Sequence, residues 1–356
     1  MHKMMHTEGM KAVVLAAGVG FRLDPLTTQL PKPLVPIGNQ PMLVHLLMLL
    51  NKYGIIDTYS NLHYLSDNIL SYFGDGYKTT KIPNFQLEKE LSGDAGGVRL
   101  FRKHLSDQTF LVIMGDLVTD IDLDHLVGEH KRSGALATIG LKKEDDVSQF
   151  GVVVQNSNGF ITGFQEKPVA KEALSHSVST GIYVLEPEVF DHMPASGAFG
   201  FGRQLFPSLV LKGLPVLGVQ IKGYWSDAGT IKQYQISNFD ALEGKVNLAL
   251  PGKAASFNGY QAWIDDGSEI SDRCSIDGLF MVGKNSIISS DIKIKGRVII
   301  GDNCIIESGA CLEDTIIWSN TRIQSGAHIS DSIVGYGCTI AADTRLRQDV
   351  LVSTPV

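Results

Sequence analysis

The chain has no apolar stretch long enough to cross a bilayer. Its longest run, Pro41 to Leu50, is ten residues and includes His45, whereas a spanning helix needs about 20. No membrane association is expected. The N-terminal MHKMMHTEGM lacks an apolar core ahead of a cleavage site, so no secretion signal is expected and a cytoplasmic location is. Strand-like sequence begins at Lys11, which makes Met10 a candidate start. Cysteine is scarce. Cys274, Cys304, Cys311 and Cys338 all lie in the last quarter and none forms a CxxC pair, so neither a disulfide frame nor a zinc site is expected. They read as small apolar residues filling a core. The ten histidines suggest no zinc site either. There is no excess of positive charge: the net charge is −7, which argues against bulk nucleic-acid binding but leaves room for a local cluster of cations on a phosphate.

What is present is an ordinary globular balance, 44% hydrophobic and 19% charged, over 356 residues, enough for two domains. Residues 11 to about 240 alternate strand and helix patterns. Lys11 to Ala17 and Thr109 to Met114 read as buried strands. Pro41 to Lys52 and Asp122 to Arg132 read as helices stopping at Gly54 and Gly134. Such alternation predicts an α/β, Rossmann-like, mainly parallel sheet whose ligands sit at the carboxyl ends of strands. The tail has another rhythm. Apolar residues recur every six positions at Ile270, Ile276, Val282, Ile288, Ile294, Ile300, Ile306 and Leu312. After one-residue slips the series continues at Ile317, Ile323, Ile329 and at Val334, Ile340, Leu346. Six is neither a helical nor a simple strand period; it suits a parallel β-helix. The expected organisation is therefore a domain over 10–240, a connection over 241–265 that contains Pro251-Gly252, and a β-helix over 266–356.

Chemistry concentrates where the first strand ends. Leu15-Ala16-Ala17-Gly18-Val19-Gly20-Phe21-Arg22, then Pro31-Lys32-Pro33, is a strand running into a glycine-rich turn whose backbone N–H groups can cradle phosphate, with Arg22 and Lys32 as cationic donors. On its own this stretch also fits a tight turn with two surface cations. It lacks the third glycine of a dinucleotide fingerprint and the GK[ST] of a P-loop.

The longer stretch from Leu15 to Leu43 resembles the N-terminal signature of the sugar nucleotidyltransferase (nucleoside-diphosphate-sugar pyrophosphorylase) family. Ile113-Met114-Gly115-Asp116, Phe150-Gly151-Val152-Val153, Gly163 to Pro168 (GFQEKP), Gly181-Ile182-Tyr183-Val184 and Gly223 to Thr230 (GYWSDAGT) follow in family order, and the hexapeptide tail resembles the left-handed β-helix of many members. The resemblance implies transfer of a nucleoside monophosphate from a nucleoside triphosphate to a sugar 1-phosphate. Mg²⁺ would be held by Asp116 and Asp227. It implies nucleotide contacts at Leu15, Ala16, Ala17, Gly18, Gly20, Arg22, Lys32, Gly93 and Gly115, and sugar-phosphate contacts at Gly151, Glu166, Lys167, Ser179 and Thr180. Arg22, Lys32, Asp116, Lys167 and Asp227 would carry catalysis, and a homo-oligomer through the β-helix is implied. GFQEKP, GIYVLEPEVF and FGRQLFPSLVLKGLPV are most similar to mannose-1-phosphate guanylyltransferases, with glucose-1-phosphate uridylyl- or adenylyltransferase as the alternative.

Three positions depart from the family. Phe21 replaces a frequent threonine or serine, Asp94 stands in Ser92-Gly93-Asp94-Ala95-Gly96 where LGTAG is usual, and Ser179 replaces a frequent asparagine. Phe21 and Asp94 favour a rival reading, a non-catalytic regulatory subunit; the intact cations and aspartates oppose it. A bifunctional acyltransferase has only the β-helix in its favour, with His328 as the tail's single histidine. Tyr224 and Trp225 are open between a sugar-pocket wall and core packing.

Overall fold

The computed structural model describes residues 6–74, 80–257 and 259–353. The chain divides into two compact units, one of residues up to 19 with 46–227, the other of 20–45 with the residues from 228 onward.

The first unit is built on a nine-stranded sheet. Strand β1 (Lys11–Leu15) is flanked in parallel by β2 (Asp57–Leu62) and β4 (Phe110–Met114), and β3 (Asn84–Leu87) extends the parallel part beyond β2. The sequences KAVVL and FLVIM are apolar on successive residues because both faces are covered. Val13, Val112, Phe110 and Leu185 form one core with Phe190, Phe201 and Phe206. The sheet is mixed rather than parallel throughout: the long strand Ser177–Leu185, here β9, runs antiparallel to β4 and to Ala137–Lys143 (β6). Gly151–Gln155 (β7) and Ile161–Glu166 (β8) form an antiparallel pair beyond it, and Val216–Gln220 (β10) adds to β6 in parallel.

Helix Leu123–Ser133 starts where the Asp122 side chain accepts from the His125 amide at 3.0 Å, and it ends at Gly134 in the left-handed region, φ 64°. The expected helix at Pro41 is observed as Met42–Lys52.

The second unit contains the β-helix. An antiparallel hairpin, Lys253–Phe257 with Tyr260–Ile264, precedes it, and Ala262–Ile264 already pairs in parallel with Phe280–Val282. Successive coils then stack in register. Ile276, Ile294, Leu312, Ile329 and Leu346 make one column; Val282, Ile300, Ile317, Val334 and Leu351 a second; Ile270, Ile288, Ile306, Ile323 and Ile340 a third. All fourteen residues of the six-residue series pack in this core, with Cys304 and Cys338 buried among them and Cys274 against it. β-branched side chains suit these columns because their stiff χ1 matches a repeated pleat.

The slips have a structural cause. Lys293 pairs with Cys311, but Val298 pairs with Thr315, so the register loses one residue at Gly296. Gly296 has φ 65°, and a Cβ there would meet the Asp314 carboxylate at 2.6 Å.

Within this unit, segment 20–45 and helix Ile231–Leu242 are tied together and to the coils. The Tyr234 hydroxyl donates to the Pro36 carbonyl at 2.8 Å and accepts from Trp318 Nε1 at 2.9 Å, and Asn39 Nδ2 donates to the Ile300 carbonyl at 2.7 Å.

Candidate active site

In the first unit the parallel strands β1 and β4 end side by side, Leu15 opposite Met114. Beyond them the Gly115 amide donates to the Leu15 carbonyl at 2.8 Å. A Cβ on Gly115 would stand 2.6 Å from that oxygen, so only glycine lets the two chain ends meet. The turn after β1 is open on its outer side: Gly18 is exposed, and nothing lies within 4 Å of where its Cβ would be.

The segments that carry the two aspartates are joined by a short antiparallel pair, Val118–Thr119 (β5) with Trp225–Ser226 (β11). Ser226 pairs with Val118, so Asp227, the next residue, falls beside Leu117 and the segment that carries Asp116. The clasp continues below. Tyr224 donates its amide to Asp120 Oδ1 and accepts from Thr119 Oγ1, both at 2.7 Å. Asp116 and Asp227 are half-buried, and two hard carboxylates on neighbouring strand ends are a donor set that fits Mg²⁺. Among the described residues no group of three or more histidine, cysteine or acidic side chains could hold a metal ion alone. The remaining ligands would come from substrate oxygens and water, the usual situation for this ion.

On β9 and on the strands beyond it lie the sugar-phosphate candidates. Glu166 ends β8 half-buried, and burial raises its carboxyl above the usual range against the pull of Lys167 and Arg203. Lys167 is exposed and left-handed, φ 48°, its amide bonded to the Phe150 carbonyl at 3.0 Å. Ser179 Oγ lies 3.3 Å from the hydroxyl of Tyr183, whose pKa burial pushes up. Thr180 is committed elsewhere: it is buried, and its hydroxyl donates to the Gly140 carbonyl at 2.8 Å. Trp225 is core rather than wall. It is buried, donates Nε1 to the Thr180 carbonyl at 2.8 Å and meets Phe150 edge-on.

Arg22 and Lys32 belong to the second unit. Gly20, left-handed at φ 80°, lies against the Lys32 stem: a Cβ on it would be 3.0 Å from Lys32 Cβ. Lys32 is buried, whereas Arg22 and the neighbouring Phe21 are exposed, Phe21 at 73%.

Two residues absent from the sequence reading organise the mouth of the first unit. Asn61, at the end of β2, accepts the Ala16 amide on Oδ1 at 3.0 Å and donates Nδ2 to Glu88 Oε1 at 2.5 Å. Glu88 Oε2 in turn accepts the amide of Ser92 at 2.9 Å and its hydroxyl at 2.6 Å. One polar chain thus fixes both the turn after β1 and the residue Ser92 just ahead of helix Asp94–Arg99, and it occupies the Ala16 N–H. In sequence Glu88 stands in the charged run LEKE, which reads as surface.

The chain is similar to known proteins along both of its parts. Residues 11–243 match the model described as "Nucleotidyl transferase", and 260–356 match "EIF2B subunit epsilon LbH domain", which agrees with a left-handed β-helix. A UTP–glucose-1-phosphate uridylyltransferase of Synechocystis is 35% identical over 88% of this chain and 84% of its own. A protein of Arabidopsis thaliana described as mannose-1-phosphate guanylyltransferase 1 is 30% identical over 98% of this chain and 92% of its own. A crystal structure from Bacillus anthracis, titled as a glucose-1-phosphate thymidylyltransferase with sucrose, superposes with a TM-score of 0.59. It is 28% identical and covers 68% of this chain and 98% of that one. No helix among the described residues is long and apolar enough to cross a membrane. The family match takes in the β1 turn, both aspartates and the Glu166–Lys167 strand end, and on that ground the chain belongs to the nucleotidyl transferase family.

Proposed function

We propose that the chain joins a nucleoside triphosphate to a sugar 1-phosphate and releases pyrophosphate. The observation that carries this reading is the β5–β11 clasp, which brings Asp227 beside the segment of Asp116 at the ends of the parallel strands. A phosphate oxygen of the sugar phosphate attacks the α-phosphorus of the triphosphate, the new P–O bond forms, and the α–β bridging bond breaks with its electrons on pyrophosphate. The attacking oxygen is already anionic, so no general base is needed. Two anions must meet, and the work is charge neutralisation and positioning. Asp116 and Asp227 would hold Mg²⁺, which supplies charge to the phosphates. Arg22 and Lys32 take the nucleotide phosphates, Lys167 the sugar phosphate, and Glu166 accepts from sugar hydroxyls. Leu15, Ala17, Gly18, Gly20, Gly93 and Gly115 border the nucleotide; Gly151 and Ser179 border the sugar. The domain limits 10–240, 241–265 and 266–356, a homo-oligomer through the β-helix and a cytoplasmic location complete the proposal.

Two substrate pairs are supported by different observations. The motifs around Glu166 and Arg203 favour GTP with mannose 1-phosphate, the pair of several relatives' names. The higher identity of the Synechocystis relative, 35% against 30% for the Arabidopsis guanylyltransferase, favours UTP with glucose 1-phosphate. A pyrophosphate-release screen crossing the common nucleoside triphosphates with both sugar phosphates tests the reading. Turnover with either pair and Mg²⁺ is expected. No release with any pair, together with calorimetric binding of a sugar nucleotide, would replace the enzyme by a regulatory subunit.

A further inference from the structure

Asp94 is the family departure with the most unusual chemistry, a carboxylate where a neutral hydroxyl is common. Its surroundings give it a task. Oδ1 accepts from the Ala95 amide at 2.8 Å and from the Phe201 amide, more than a hundred residues away, at 2.7 Å. Two backbone bonds join the same segments: Phe199 N to the Ser92 carbonyl at 2.8 Å and Gly96 N to the Phe199 carbonyl at 2.9 Å. Phe201–Leu205 forms a single π-helical turn, and the Asp94 carboxylate satisfies its first amide.

That turn borders Glu166. A Cβ on Gly202 would stand 3.2 Å from Glu166 Cδ and closer still to Oε2, and one on Gly151 would stand 3.1 Å from the same oxygen. The Glu166 carboxylate therefore lies between two bare stretches of backbone, and Asp94 holds one of them in place.

We propose that Asp94 is a positioning residue for the sugar-phosphate half of the site, fixing segment 199–205 so that Gly202 leaves room for the Glu166 carboxylate. This rests on the reading of Glu166 as the acceptor of sugar hydroxyls. A threonine hydroxyl at the same backbone position is one bond shorter than this carboxylate. The Asp94 carboxylate thus has a structural task, accepting two backbone amides, and burial raises its pKa above the usual carboxylate range.

The test compares three variants of the full chain. Asp94→Asn keeps an acceptor oxygen, Asp94→Ala removes it, and Gly202→Ala crowds Glu166 without touching Asp94. Asp94→Ala and Gly202→Ala should raise KM for the sugar 1-phosphate about tenfold or more while KM for the nucleotide stays within about twofold. Asp94→Asn should restore most of the loss. Amide hydrogen exchange over 199–205 should quicken in Asp94→Ala only. The proposal is overturned by a nucleotide-side effect of Asp94→Ala, by an unchanged sugar-phosphate KM in Gly202→Ala, or by Asp94→Asn behaving as Asp94→Ala does. A wild type silent toward every substrate pair defeats the transferase reading instead. Calorimetric titration with mannose 1-phosphate and glucose 1-phosphate then decides this one: weaker binding by Asp94→Ala and Gly202→Ala upholds it, and equal binding overturns it.

Discussion

The Asn61 side-chain amide donates to the Glu88 carboxylate at 2.5 Å, and both residues are buried, Glu88 with 5% of its surface exposed. Replacing Glu88 by alanine would strand the Asn61 amide and leave the Ser92 amide and hydroxyl without their acceptor. Unsatisfied buried donors cost about 1–3 kcal/mol each before relaxation, so a loss of about 2–4 kcal/mol is expected. Glu88→Gln, which keeps one acceptor oxygen, should lose less. Urea unfolding of the two variants measures this; equal midpoints for wild type and Glu88→Ala would remove the network from the account of the site.

The aspartate pair predicts a metal requirement. Asp227→Asn should fold normally and lose most turnover, because an amide is a far weaker ligand for Mg²⁺ than a carboxylate. Excess chelator should silence the wild type reversibly. Full activity in chelator, or near-normal rates in Asp227→Asn, contradicts the assignment.

In the β-helix, Ile300 is fully buried in its column between Val282 and Ile317. Ile300→Asp places an unpaired charge there and should cost about 3–5 kcal/mol. An unchanged calorimetric melting profile would deny the inward stack.

His45 predicts a pH dependence. It is buried with Nε2 on the Ile37 carbonyl at 2.9 Å and Nδ1 facing Gln40 at 3.3 Å, and desolvation lowers its pKa to about 4. The unfolded chain, at the ordinary value of about 6.5, takes up the proton first. The stability is thus complete above pH 6.5 and is lost as pH falls toward 4, by up to about 3 kcal/mol. Melting midpoints between pH 7 and 4.5 should drop more steeply for wild type than for His45→Gln. Parallel curves would show that another group governs the slope.

Much of the fold was legible because its signals are local. Asp122 and Gly134 mark the ends of a helix by their own chemistry, and the six-residue rhythm picks out fourteen core residues from Ile270 to Leu346, though Ile292, Val298 and Ala310 join the same core outside it. Strand direction is not local: nothing in the residues of β9 states that they run antiparallel to β4. Nor does the sequence around Lys32 show that 20–45 groups with the tail, since bonds such as Gly38 N to Asn238 Oδ1 span 200 residues. At the site, the aspartates and cations stood in motifs, whereas Glu88 looks like solvated surface until its burial is seen. Asp94 is in sequence a departure from a usual LGTAG, and its bond to the Phe201 amide appears only in the fold.

The lost residue at Gly296 gives the solenoid two gauges. Before it a coil is 18 residues, Ser275 to Lys293 to Cys311; after it 17, Cys311 to His328 to Arg345. The step is locked from outside the stack: Arg297 bonds Asp314 through both its amide and Nε at 2.9 Å, stacks on Phe239 and reaches Glu243. The coils are therefore not interchangeable parts. Lengthening or shortening this array, by gene duplication or by an engineer, must add or remove 18 residues on one side of the step and 17 on the other, and a coil copied across it would arrive out of phase.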